Sequence, residues 1–280
     1  MSTHPWEPSQ LIEKKYFKSL TDIADFLQKS IEKEHDPYRI LWILRHTLIK
    51  PAFNRFAYEV ARKMVTHLYT SNAKSWRHAA REGGKGRIIY EALRRELEGP
   101  VNGALNFQIE RNAELIKTLP QDIASRVDNF ISQETLKGRR VSDIARDIQK
   151  MFPESSRAKA SLIARTEVSK TSTALTRARA ESIGIAWYEW VTSEDSRVRS
   201  SHRIMDRVLV NWNDPPSPEK LLGIKNAPDP YHAGNIYNCR CFPAPVVNIN
   251  RLQWPHKVFT GGSITTMTKA QFERLASRAA

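Results

Sequence analysis

Residues 195–202 of this chain read Asp-Ser-Arg-Val-Arg-Ser-Ser-His, and residues 238–241 read Asn-Cys-Arg-Cys. Both cysteines of the 280-residue chain fall in the second stretch, and the residues between the two stretches include a proline-rich run. The sequence before residue 184 follows helical spacing, so the fold changes character at this point. These two stretches hold the residue types that can bind metals or carry out chemistry.

The first part of the chain is predicted to be helical, because its apolar residues recur at intervals of three and four. The first stripe consists of Leu20, Ile23, Ala24, Leu27 and Ile31. Proline lacks a backbone N–H, so Pro120 is predicted to begin a new helix and Pro153 to end one. Residues 1–10 are predicted to be an extended arm, in which Trp6 either frays with the terminus or serves as a docking anchor.

After Gly184 the pattern becomes that of short strands. Residues 185–191 (IAWYEWV) are aromatic and β-branched, and residues 208–210 and 243–247 resemble them. The predicted fold class is α+β: a mainly helical N-terminal region followed by a small mixed α+β domain with short strands and long loops. We place the boundaries at residues 1–125, 126–248 and 249–280. The last segment is predicted to be a tail with little core and a short terminal helix from Lys269.

The chain carries 44 Lys and Arg against 30 Asp and Glu, a net charge of +14. Such a balance favours a polyanionic partner, most often nucleic acid, through counterion release and long-range attraction. A basic face that is merely well solvated is the alternative. Neither a secretory signal nor a membrane span is visible, so we expect synthesis in a reducing cytoplasm without membrane association.

Two cysteines at positions i and i+2 allow three interpretations. A disulfide is disfavoured, because strand geometry leaves their Cα atoms near the upper limit for a bridge. A zinc site and a pair of structural cysteines remain open, since the spacing is not one of the strong zinc patterns. The candidate metal ligands are His202, His232, Cys239, Cys241 and Asp195.

Two enzymatic alternatives follow from other residues. Asp195, Arg199, His202 and Asp206 would share one face of a helix, and a metal-dependent nuclease could use Asp195, His202 and Asp206. Ion pairing on that face is the structural alternative. An ADP-ribosyltransferase-like effector is suggested by Arg165 and residues 171–173, but the expected downstream Glu-x-Glu pair is missing.

Four short motifs, in this order and spacing, resemble the phage head morphogenesis family and its Mu F-like domain. They are Ile-Ala-Arg-Thr-Glu at 163–167, Trp190, the stretch 195–202 and the stretch 238–241. The resemblance covers about residues 137–247, although Arg207 stands where many members have glycine. The family-like positions are Arg165, Thr166, Glu167, Asp195, Arg199, His202, Cys239, Arg240 and Cys241.

The resemblance implies a minor capsid protein of the virion, associated with the portal vertex and made in the host cytoplasm. It would act in head assembly and in DNA packaging or delivery, without catalysis. Its implied partners are the portal protein, capsid and scaffold proteins, and double-stranded DNA bound without sequence preference. No cofactor is required, and a structural zinc is the candidate. The candidate DNA contacts are Lys74, Arg77, Arg81, Lys85, Arg87, Arg177 and Arg179.

Overall fold

The computed structural model describes residues 4–47, 49–83 and 85–278. Its helices are α1 (Gln10–Ile31), α2 (Pro37–Thr47), α3 (Pro51–Gly83), α4 (Gly86–Arg95), α5 (Pro100–Leu136), α6 (Val141–Ser182), α7 (Ser200–Arg203), α8 (Pro218–Leu221) and α9 (Lys269–Arg278). Its strands are β1 (Trp187–Val191), β2 (Val208–Asn211), β3 (Phe242–Pro245), β4 (His256–Thr260) and β5 (Ser263–Met267). Long helices followed by a small mixed sheet confirm the predicted α+β class. None of the described helices is both long and apolar enough to cross a membrane.

Two prolines lie inside helices, so the prediction that Pro120 and Pro153 separate successive helices is wrong. A proline at position 153 cannot donate to the carbonyl of Gln149, four residues earlier. That carbonyl instead accepts a hydrogen bond from Nε2 of Gln28, at 3.3 Å. A side chain from another helix therefore replaces the missing bond, and α6 continues to Ser182.

The chain forms two compact units. Unit 1 comprises Met1–Ser9, Leu68–Leu105 and Val168–Ala280, and unit 2 comprises Gln10–His67 and Asn106–Glu167. Within unit 2, α1 buries Leu20, Ile23, Leu27 and Ile31, the stripe predicted from its spacing. The boundaries predicted at residues 125 and 248 stay a prediction.

Unit 1 contains a five-stranded sheet with the strand order β3-β1-β2-β4-β5. Strand β1 pairs antiparallel with both β2 and β3, whereas β2 and β4 are parallel. Tyr188 and Trp190 face one hydrophobic core and Trp187 faces another, because successive side chains of a strand point to opposite faces of the sheet. The sheet therefore has apolar packing on both faces.

The segment after residue 248 has more core than predicted. Strands β4 and β5 form an antiparallel hairpin that extends the sheet, and Val258 and Phe259 are buried in it. Helix α9 places Phe272 edge-on against Trp187, with ring centroids 5.0 Å apart. Strand β5 reads Ser-Ile-Thr-Thr-Met, so its polar composition hides the strand from a search for apolar residues.

The N-terminal arm packs within unit 1 from His4 onward, while residues 1–3 lie outside the described part of the chain. Trp6 meets Trp76 edge-on, with ring centroids 4.9 Å apart. Ser75 Oγ donates a 2.6 Å hydrogen bond to the carbonyl of Pro5. Trp6 is therefore an anchor, and its partner belongs to the same chain.

Candidate functional site

Residues 195–202 and 238–241 meet in unit 1. His202 lies on α7, a helix of four residues. Cys239 and Cys241 lie in the irregular segment immediately before β3. The Nδ1 atom of His202 lies 3.3 Å from Sγ of Cys241 and 3.5 Å from Sγ of Cys239. All three side chains are buried, and their ligand atoms lie within 4.8 Å of one another. Three of the five candidate metal ligands are therefore brought together.

A relay of polar groups orients the ring of His202. Tyr231 donates its hydroxyl hydrogen to Oε2 of Glu219 at 2.6 Å, and Ser201 Oγ donates to Oε1 at 3.0 Å. The oxygen of Tyr231 lies 2.9 Å from His202 Nε2. Because a tyrosine has one hydroxyl hydrogen, Nε2 of the neutral imidazole must be the donor in that contact. The Nδ1 lone pair then faces the two sulfur atoms.

The two thiols have opposite tendencies to ionise. A hydrogen bond from Cys241 holds the pKa of Cys239 well below its usual range, against the effect of burial. The same hydrogen bond, together with burial, raises the pKa of Cys241. The backbone N–H of Cys241 also points at Sγ of Cys239, at 3.4 Å. The pair is thus arranged as one thiolate held by one thiol.

The carboxylate at the end of the relay stays ionised. Burial raises the pKa of Glu219, but hydrogen bonds from Tyr231, the backbone and Ser201, and the proximity of His202, lower it below its usual range. Burial and the neighbouring Glu219 raise the pKa of Tyr231, so its hydroxyl keeps its hydrogen. A fixed tyrosine donor and a fixed carboxylate acceptor keep the histidine in a single tautomer.

Three of the four ligands of a tetrahedral zinc site are present, and their spacing fits the ion. Zinc bonds to sulfur at about 2.3 Å and to nitrogen at about 2.0–2.1 Å, so tetrahedral ligands stand about 3.6 Å apart. The two Nδ1–Sγ distances of 3.3 and 3.5 Å are close to that separation. In zinc sites, a histidine ligand usually donates the N–H of its other ring nitrogen to a polar partner, as His202 does to Tyr231. Within the described part of the chain, no fourth His, Cys, Asp or Glu joins this group.

Two other candidate ligands have different partners. His232 places Nδ1 3.1 Å from the hydroxyl of Tyr188 and Nε2 3.3 Å from Nη1 of Arg177. Burial, and then the charge of Arg177, lower the pKa of His232 to about 4. Asp195 forms ion pairs with Arg197 at 3.2 Å and with Arg240 at 3.3 Å. Neither side chain joins the His202 cluster.

The helix face that would hold a nuclease site does not form. Helix α7 spans only Ser200–Arg203, so Asp195 and Asp206 lie outside it. Oδ1 of Asp206 accepts hydrogen bonds from the backbone N–H of Thr192 at 2.9 Å and from its hydroxyl at 2.8 Å. Asp195, His202 and Asp206 therefore contact different groups. The carboxylates of Asp195 and Asp206 each connect two segments of the chain outside the helices.

The remaining family-like positions have structural contacts. Arg199 places its guanidinium 4.8 Å from the ring centre of Tyr237 and donates to that residue's carbonyl at 3.0 Å. Glu167 is buried in unit 2 and pairs with Arg111. Arg165 lies 3.5 Å from Glu13, also in unit 2. Thr166, which lies between Arg165 and Glu167 in the sequence, is also buried.

The candidate DNA contacts divide into two groups. Lys74, Arg77 and Arg81 are exposed on one face of α3, and Lys85 and Arg87 are exposed just after it. Among the described residues, none of the three on α3 takes part in an ion pair, whereas Arg87 pairs with Glu91 at 2.9 Å. We call Lys74, Arg77 and Arg81 the α3 basic face.

Arg179 cannot contact a phosphate, which corrects its assignment as a DNA contact. Its side chain is 3% exposed and ion-paired with Glu96, with Nε 2.7 Å from Oε2. Nη1 also donates to the side chain of Asn72. Arg177 is half-exposed, but it pairs with Glu181 at 2.7 Å and contacts His232.

Glu219 and Tyr231 belong to the site but escaped prediction. Glu219 lies in α8, a helix of only four residues, and Tyr231 lies in an irregular segment. Tyr231 is 12 positions from Glu219 and 29 from His202, so no sequence periodicity indicates these contacts. Tyr231 follows Pro230 in a stretch that reads as surface loop. The one available signal is an aromatic hydroxyl directly before His232 in an otherwise polar run.

Comparison with known proteins confirms the family resemblance. Residues 125–243 match the family described as Phage Mu protein F like protein. The chain is also 34% identical over 139 residues to an uncharacterized protein of Haemophilus influenzae (strain ATCC 51907 / DSM 11121 / KW20 / Rd). That alignment covers 50% of this chain and 28% of the relative, so the chain spans about a quarter of the relative's length. No solved structure matches.

Proposed function

We propose that this chain, similar over residues 125–243 to the Mu F-like phage family, is a minor head protein of a bacteriophage. It would reside in the virion, inside the head or at the portal vertex, and act in head assembly and in DNA packaging or delivery. The observation that carries the proposal is the family match, which contains the whole His202, Cys239 and Cys241 cluster. The portal protein and the capsid and scaffold proteins are the proposed partners.

Heads purified from cells that produce the phage test this placement. We expect the protein to co-purify with heads and portals in few copies relative to the major capsid protein. Heads assembled without it should package or deliver less DNA. A protein that sediments free of heads at every stage of assembly, or whose loss leaves packaging and delivery unchanged, would overturn the proposal.

The cluster supports a structural role rather than catalysis. Cys239 and Cys241 are 3% and 1% exposed, so a substrate could not reach either sulfur without local unfolding. A nucleophilic cysteine normally sits where a substrate has access. We propose instead that His202, Cys239 and Cys241 hold a zinc ion that joins α7 to the approach of β3, in a region with long loops. Zinc would supply binding energy for folding there.

The α3 basic face supports contact with DNA. Lys74, Arg77 and Arg81 recur at i, i+3 and i+7, so one side of the helix presents three charges without acidic partners among the described residues. Side chains of this kind bind phosphates without reading sequence. We propose that the protein binds duplex DNA non-specifically through this face.

Retention of duplex DNA at rising salt measures this contact. We expect equal affinity for unrelated sequences and a steep loss of affinity with salt. Replacing Lys74, Arg77 and Arg81 with glutamine should reduce the slope of log K against log salt by about 0.9 for each lost phosphate contact.

Lys14, Lys15 and Lys18 of α1 provide the matched control, because they are exposed and their replacement removes the same net charge. If the two triple variants lose affinity equally, the binding reflects total charge and not the α3 basic face. Affinity that ignores salt would contradict phosphate contact altogether.

The metal-dependent nuclease remains the alternative function, and one assay separates it from a head protein. Plasmid DNA is incubated with the protein and Mg²⁺ or Mn²⁺. We expect intact plasmid, because Asp195, His202 and Asp206 contact separate partners. Cleavage that the His202→Ala variant abolishes would replace the head-protein proposal with a nuclease.

A further inference from the structure

The two edges of the sheet differ in how well they are protected. Strand β3 is buried throughout and contains Pro243 and Pro245, which cannot donate to another strand. Strand β5, at the opposite edge, is mostly exposed and reads Ser-Ile-Thr-Thr-Met, without proline or charge. Natural sheets usually protect exposed edges with charges, prolines or bulges. Strand β5 has none of these.

The register of the β4–β5 hairpin shows which backbone groups face outward. Gly261 and Gly262 form a two-residue turn with φ values of 58° and 78°, as in type I′ turns. Thr260 and Ser263 flank this turn and form a hydrogen-bonded pair. Along β5, every second residue from Ser263 therefore directs its backbone N–H and C=O towards β4. The N–H and C=O groups of Ile264 and Thr266 therefore point away from β4. Among the described residues, no strand pairs with them.

We propose that β5 pairs antiparallel with β5 of a second copy of this chain, with the two-fold axis at Thr265. In that register Ile264 of one copy faces Thr266 of the other, and the pair recurs on the other side of the axis. Both positions carry the outward backbone groups, so each pair exchanges two hydrogen bonds. Other registers would oppose an outward position to an inward one or shorten the paired segment. The two sheets would become one continuous sheet.

The surroundings of the edge leave room for this pairing. Phe272 of α9 packs against Trp187 and Trp254, and α9 approaches β5 on the sheet face that carries Trp187 and Met267, so the outward backbone groups of Ile264 and Thr266 are not paired with another strand of the described part of the chain. Thr265 itself is exposed. Thr265 would face its own counterpart across the axis, and threonine pairs are favourable cross-strand neighbours. No charged side chain of β5 opposes another.

Charge sets how the association should respond to salt. Each copy carries a net charge of +14, so two copies repel at low ionic strength. Backbone pairing between short strands is nearly independent of salt. Dimerisation should therefore strengthen as salt rises, whereas DNA retention should weaken. This inference goes beyond the proposed function, because it requires neither DNA nor another phage protein.

Substitution at Thr265 tests both the interface and its register. Sedimentation velocity of the full chain at about 100 µM, with added salt, should show a monomer–dimer equilibrium. The Thr265→Lys and Thr265→Glu variants should each weaken the dimer at least tenfold, because like charges meet at the axis. An equimolar mixture of the two variants should dimerise again, because opposite charges then meet.

Thr266→Pro provides a second test that spares the hairpin. The lost N–H faces outward, so the bonds to β4 remain, and thermal unfolding should match that of the wild-type chain. Its dimer should be weakened like that of Thr265→Lys. A wild-type chain that stays monomeric at all salt concentrations would overturn the proposal. Single variants that dimerise normally, or a mixture that does not recover, would overturn the register and with it the interface.

Discussion

His202 and Cys241 approach each other through Nδ1 and Sγ at 3.3 Å, with the histidine's other nitrogen held by Tyr231. The contact joins residues 39 positions apart in the sequence. Because Nδ1 carries a lone pair in this tautomer, it can bind a metal, or it can compete with Cys239 for the hydrogen of the Cys241 thiol. Elemental composition decides between these two roles.

We expect the purified protein to contain one equivalent of zinc. The Cys239→Ser variant should lose the metal, because a serine hydroxyl is not ionised as a thiolate is. His232→Gln is the matched control and should retain the metal, since His232 contacts Tyr188 and Arg177 instead. Mass spectrometry of the metal content measures both variants. A zinc-free wild-type chain would leave a hydrogen-bonded cluster in place of the metal site.

Removal of the Tyr231 hydroxyl should weaken zinc binding without removing a ligand. In Tyr231→Phe, the Nε2–H of His202 loses its acceptor, and Glu219 loses its hydrogen bond from Tyr231 while keeping the one from Ser201. Loss of such a second-layer contact typically lowers metal affinity about 10–100-fold. Competition with a chelator measures the change. Tyr237→Phe is the control, because Tyr237 is 60% exposed and should leave the affinity unchanged.

The ion pair between Arg179 and Glu96 should make a large contribution to stability within unit 1. Arg179→Met leaves Glu96 without its arginine in a buried position. Breaking a buried pair in this way costs about 3–5 kcal/mol. The control Arg87→Met breaks an exposed pair with Glu91 and should cost no more than about 0.5 kcal/mol. Urea unfolding followed by circular dichroism compares the two, and equal losses would contradict the importance of the buried pair.

His232 should make the protein less stable as the pH falls below neutrality. Its pKa is about 4 in the folded protein. It returns to about 6.5 in the unfolded chain, which therefore binds the proton first. The stabilisation is complete above pH 6.5 and is lost as the pH falls towards 4. The shift corresponds to about 3 kcal/mol.

The free energy of unfolding of the wild-type chain and of His232→Gln, measured between pH 7.5 and pH 4.5, checks this dependence. Glutamine does not titrate, so the variant's stability should fall less over this range. The nearby polar groups are Tyr188 and Arg177, and neither changes its charge in this pH window. Parallel curves for the two proteins would show that His232 does not titrate as expected.

Sequence patterns predict the long helices, apart from the boundaries at Pro120 and Pro153, and the first three strands, because burial there follows a simple period. The stripe of α1 and the alternation in β1 are examples. The same reasoning brings His202, Cys239 and Cys241 together as candidates, since few other residues of those types are available. It fails where a distant partner changes the outcome. Gln28 supplies the hydrogen bond to the Gln149 carbonyl that Pro153 cannot donate. Glu96 neutralises the charge of the buried Arg179 side chain.

The relay and the last two strands lie beyond such patterns for a different reason. Glu219 and Tyr231 meet because the irregular backbone between α8 and Tyr231 folds back, and that path depends on packing that no local residue preference encodes. Strand β5 is an exposed edge, so selection for apolar residues is weak there. Its threonines read as a polar tail until β4 provides the neighbour with which they pair.

The family match ends at residue 243, yet β2 is bordered on one side by β4, through Leu209 and Val258. The shared segment therefore supplies a sheet with an unfinished side. In this chain the residues after 243 complete that side of the sheet, through β4 and β5, which lie outside the matched segment.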